Sequence, residues 1–87
     1  MANRKRLKKS IKIVTGELFA DCVTLIHLGQ GNAETLQTLM VEVLTIHNEF
    51  VARLSHVEKG GEKKFFKKLR EEFTEKVNNL SDRIVNA

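Results

Sequence analysis

The chain has no proline, tryptophan or tyrosine, a single cysteine, and only five glycines and five phenylalanines in 87 residues. Each shortage removes a class of structure. A small β-sandwich or barrel depends on frequent turn residues and aromatics, so an all-helical fold is expected. The one thiol, Cys22, excludes an intrachain disulfide and any multi-cysteine zinc site. Nothing approaches the ~18 uninterrupted apolar residues of a membrane span, so an integral membrane protein is not expected. Residues 1–10 carry the positive charge of a signal-peptide start, but Lys12, Glu17 and Asp21 interrupt the apolar run that would have to follow. A reducing cytoplasm is the expected setting, in keeping with the lone thiol.

What is present reads as one small domain. Apolar residues are 41% and charged residues 30%, the balance of a folded globular chain. Gly29 with Gly31, and the pair Gly60-Gly61, cut it into three segments. Projected at ~100° per residue, each carries one apolar stripe. In the first, about residues 3–28, the stripe is Leu7, Ile11, Val14, Leu18, Cys22 and Leu25, with Asn3 as N-cap and Gly29 as the stop. The second, about 33–57, follows an Asn32 cap and carries Leu36, Leu39, Val43, Ile46, Phe50, Leu54 and Val57. The third, about 62–85, carries Phe66, Leu69, Phe73, Val77, Leu80 and Ile84, with Phe65 at its edge. Short loops force neighbours antiparallel, which predicts an up-down-up three-helix bundle.

The stripes differ in width. Phe19, Val23 and Ile26 broaden the first, and Met40, Leu44 and Val51 broaden the second, beyond the ~100° that faces one core. A middle position in a small bundle accounts for such breadth, and so does a homodimer through helices 1 and 2.

Lysine and arginine total 15 against 11 acids, a net charge of +4. Up-down-up topology sorts that charge. The end holding residues 1–15 and 46–72 gathers thirteen bases against five acids, net +8, and the remainder has two bases against six acids, net −4. The first and third helices begin with the runs Arg4, Lys5, Arg6, Lys8, Lys9, Lys12 and Lys63, Lys64, Lys67, Lys68. Cations at a helix start oppose the macrodipole, which invites an anionic partner. Pairs such as Lys67 with Glu71 and Lys68 with Glu72 would offset part of that cost. Nucleic acid, held by its phosphate backbone, or an acidic protein is therefore a candidate partner. Without tryptophan or tyrosine for base stacking, such binding would be salt-sensitive and weakly sequence-specific.

Catalytic signatures are missing. His47 projects onto the apolar arc of the second helix, where it is expected as a partly buried group bonded to Thr15 or Glu72, with Gly16 making room or allowing close helix approach. Asp21 borders the first stripe, within expected reach of Asn78 or Asn79. His47 and His56 lie nine positions apart and His27 sits at the other end, so no metal or other cofactor is expected. Ser10, Ser55 and Ser81 occur in no nucleophile motif, and Gly29-Gln30-Gly31-Asn32 reads as a helix–helix turn.

The stretches Asn3-Arg4-Lys5 with Leu7-Lys8-Lys9, Gly16-Glu17-Leu18-Phe19-Ala20, Leu44-Thr45-Ile46-His47-Asn48-Glu49-Phe50-Val51 and Arg53-Leu54-Ser55-His56 resemble a group of short uncharacterised gut-bacterial proteins. The resemblance implies a compact helical fold in a bacterial cytoplasm and brings no activity with it. The expectation is a non-enzymatic helical interaction module that self-associates, with an accessory nucleic-acid binder as the alternative.

Overall fold

The computed structural model of the chain describes residues 4–56 and 60–87, without the side chains of residues 4 and 62. Three helices, α1 (Arg4–His27), α2 (Ala33–Leu54) and α3 (Glu62–Val85), account for the fold, and the described residues include no strand. The protein is an all-α three-helix bundle, 49 × 19 × 18 Å.

Local chemistry sets the element ends. At Asn32 the backbone is extended, and the side-chain Oδ1 accepts from the Thr35 N–H at 3.0 Å, satisfying a donor the first turn of α2 cannot use internally. Past α1, Gly29 turns left-handed at φ 69°. Its N–H donates to Ile26 O and the Gln30 N–H to Leu25 O, the paired bonds of a Schellman stop. The second helix ends at Leu54, earlier than its stripe suggests. There Ser55 and His56 donate to Ala52 O and Arg53 O, three residues back, which tightens the last turn and closes it. The expected Asn3 cap and the stripe position Val57 lie outside the described residues.

Packing fixes the chain direction. One core cluster joins the end of α1 (Leu18, Cys22) to the start of α2 (Leu36, Leu39, Val43) and the end of α3 (Leu80, Ile84). The other joins the start of α1 (Leu7, Ile11) to the end of α2 (Phe50, Leu54) and the start of α3 (Leu69, Phe73). Only an up-down-up arrangement produces both groupings. Within the second cluster Phe50 and Phe73 meet edge-to-face at 5.3 Å between centroids.

Helices α1 and α2 form the closest pair, and α3 lies against them with fewer close backbone approaches. Two ion pairs tie α3 to α2, Arg53–Glu72 at 2.6 Å and Arg83–Glu42 at 2.8 Å. All four side chains are partly exposed, so each pair is worth at most about 1 kcal/mol. The last residue closes the opposite end, where the Asn32 N–H donates to Ala87 O. A Cβ at Gly31, already at φ 77°, would come within 3.1 Å of the Ala87 backbone.

Candidate interaction surfaces

Lys5, Arg6, Lys8, Lys9, Lys12, Lys63, Lys64, Lys67 and Lys68 are all exposed and all flank the cluster around Phe50. The Arg4 side chain, Glu58 and Lys59 lie outside the described residues. At ~100° per residue the lysines divide between two sides. Lys5, Lys8, Lys9 and Lys12 cover α1, whereas Lys63, Lys64, Lys67 and Lys68 cover the outer side of α3. The charge therefore rings this end of the bundle and is not gathered on one flat patch.

The expected Lys68–Glu72 pair is replaced. Glu72 instead reaches across to Arg53 on α2, whose guanidinium also sits 5.0 Å from the Phe50 ring centroid. An Arg fork held over an aromatic ring outcompetes a mobile lysine for one carboxylate. Lys67 and Glu71 likewise form no ion pair. Among the described residues, no lysine of either basic run has one.

On α1 the flank of Phe19, Val23 and Ile26 lies opposite the flank that meets α3, and the same holds on α2 for Met40, Leu44 and Val51. The six positions thus belong to the face of the α1–α2 pair that points away from α3. They do not form one compact patch. Phe19, Ile26 and Met40 are half-buried against the cluster around Leu39, while Val51 packs on the opposite cluster beside Phe50. Val23 is 44% and Leu44 51% exposed. One turn from Leu44 stands Val41, 63% exposed, which extends the apolar surface and lies off the stripe that periodicity picks out.

The polar residues of interest are placed differently from expectation. His47 is half-buried, with Nδ1 3.2 Å from Asn48 Oδ1 and positioned to donate when that nitrogen carries the proton. Both expected partners are committed elsewhere. The buried Thr15 hydroxyl donates back to Ile11 O at 2.7 Å, and Glu72 holds Arg53. Asp21 is exposed and makes no bond to Asn78 or Asn79, because its position at the stripe edge leaves its carboxylate in solvent. Burial pushes the Cys22 thiol above its ordinary value, and the nearby Asp21 charge adds to the shift. That is the opposite of what an activated nucleophile needs.

Gly16 is also corrected. It is exposed, and a Cβ there would meet nothing within 4 Å, so it neither houses an imidazole nor permits close helix approach. What remains is its entropic cost in a helix interior. Gly16→Ala should therefore stabilise the fold by about 1 kcal/mol, seen as a melting temperature about 4–8 °C higher in a calorimetric scan.

Two grooves flank α3. The α2–α3 groove, about 890 Å³, is lined by the carboxylates of Glu42, Glu49, Glu72 and Glu75 together with Arg53, Arg83 and Lys76. Its arginines already hold acids, although Glu42 Oε2 faces Arg83 at an angle that makes no hydrogen bond. The α1–α3 groove, about 490 Å³, has Leu7, Ile11, Val14 and Phe73 in its floor. Ser10, Thr74, Arg6 and Arg70 stand at its edges. Among the described residues, no group of three or more His, Cys, Asp or Glu side chains could hold a metal ion, and no helix is long and apolar enough to cross a membrane.

No protein family, curated protein or solved structure matches the chain.

Proposed function

We propose that the protein is a non-enzymatic interaction module of the cytoplasm that pairs with a second copy of itself through the α1–α2 face remote from α3. The observation that carries this reading is the exposure of Val23, Val41 and Leu44 around the half-buried Phe19, Ile26 and Met40. Charge placement supports a second copy as the occupant. This apolar surface lies at the end away from the lysine runs, so a twofold axis through it and perpendicular to the helices keeps the two basic ends apart. An interface there removes apolar side chains from water without bringing like charges together.

Analytical ultracentrifugation tests the reading. The wild type is expected to sediment near twice its 9.9 kDa chain mass. Leu44→Glu, combined with Val23→Lys, should give a monomer whose melting temperature is little changed, because both sites are surface positions. A wild type that stays monomeric at about 0.1 mM, near or above the Kd of weak specific pairs, would overturn it.

A second reading is favoured by the unpaired lysines: the basic end holds the phosphate backbone of a nucleic acid. Each lysine at the first turn of α1 or α3 opposes the helix dipole and lacks a carboxylate, so an external phosphate supplies what the fold omits.

A further inference from the structure

We propose that the basic end of the bundle docks against an anionic lipid surface, with the helix axes near the membrane normal. Lys5, Lys8 and Lys9 on α1 and Lys63, Lys64 and Lys67 on α3 are exposed and form no ion pair among the described residues. Leu7 and Leu69 share one core cluster, so the two sets stand at the same end of the molecule. At ~1.5 Å per residue each set spans only ~6 Å of helix axis. Both therefore fit within about one Debye length, ~8 Å at physiological salt, of a plane drawn across that end. Lysines divided between two sides suit a plane better than a rod. A rigid duplex laid along one side meets one set, whereas a surface across the end meets both at once. The acids favour the same posture, because residues 16–45 and 73–87 carry a net charge of −4. Lying flat, a molecule 49 Å long would press those acids against lipid phosphates, and standing on its basic end holds them beyond the reach of screened repulsion. Phe65, in the first turn of α3 between the lysines, is half-buried and adds a little apolar contact at headgroup depth.

Docking needs one chain only, so the Leu44→Glu, Val23→Lys variant should bind as well, and this proposal stands or fails apart from self-association. Co-sedimentation of the full chain with vesicles tests it. Vesicles of phosphatidylcholine mixed with phosphatidylglycerol should retain the chain at about 50 mM salt, and phosphatidylcholine alone should not. A lysine near such a surface is worth about fivefold in affinity. Lys5→Gln with Lys8→Gln should thus weaken binding about 25-fold, and Lys63→Gln with Lys64→Gln by as much again, while the melting temperature holds or rises. Lys76→Gln should change nothing, since that exposed lysine lies ~20 Å along α3 from Lys63. Polarised infrared spectra of the bound protein should show the helices along the membrane normal. Helices lying in the membrane plane, equal retention by phosphatidylcholine alone, no retention at about 50 mM salt, or a loss confined to one lysine pair would each overturn the proposal. Binding of a labelled duplex by a chain that no anionic vesicle retains would assign these lysines to nucleic acid instead.

Discussion

Phe50→Ala should remove about 3–5 kcal/mol of stability. Phe50 is fully buried, meets Phe73 edge-to-face, and supports the Arg53 guanidinium that in turn holds Glu72. Truncation deletes the ring's transfer energy, leaves a cavity between α2 and α3, and loosens the ion pair at the same end. Native domains carry only about 5–15 kcal/mol in total, and at a urea slope of about 1–3 kcal/mol per M this one change should lower the midpoint of a urea titration by about 1–5 M. Phe50→Leu keeps most of the volume and should cost far less. The comparison in urea also separates packing from electrostatics. Arg53→Met, which removes the ion pair but keeps an apolar stem over the ring, should cost no more than about 1 kcal/mol. Equal losses for Phe50→Ala and Arg53→Met would mean that the ion pair, not the ring, organises this end.

That ranking also explains which features the sequence revealed. Helical stripes depend on ~3.6-residue spacing alone, so Leu36, Leu39, Phe50, Leu69 and Leu80 were legible as core. The Asn32 cap and Gly29 stop were legible because they act through bonds within a few residues. Contacts that depend on how each helix is rotated against its neighbours were not. Lys68 and Glu72 have the right spacing for a local pair, yet Arg53, nineteen positions before Glu72, takes the carboxylate. Gly16 differs from these, because at ~100° per residue it lies on the side of α1 opposite the stripe and its exposure was legible in the spacing. The α1–α3 groove was illegible for the reason that hid the Arg53–Glu72 pair. Arg6 and Arg70 border it together only once the flanks of two stripes are known to face each other.

The rotation of the helices also decides how strongly a nucleic acid would be held. Eight exposed lysines on one flat surface would release counterions from about eight phosphates. Here they are split, with Lys5, Lys8, Lys9 and Lys12 on α1 and the remaining four on the outer side of α3, so a rigid duplex meets about four at once. A slope of about −0.9 per contact makes log K fall by ~3.6 per decade of salt, or a loss of ~150-fold between about 50 and 200 mM. Fluorescence anisotropy on a labelled duplex measures this directly. Replacing Lys5, Lys8, Lys9 and Lys12 together with Gln should abolish binding on that side without harming the fold. Removing the cation at position 5 from the first turn of α1 should, if anything, raise the melting temperature, because it lifts an unfavourable interaction with the helix dipole. A true phosphate surface therefore has a specific signature: binding falls while stability holds or rises. A labelled single strand, which can wrap both sides where a duplex cannot, should instead give a slope of about −5.6, eight contacts at ~0.7 each. No binding at about 50 mM salt, or binding that ignores both lysine sets, would remove nucleic acid from consideration.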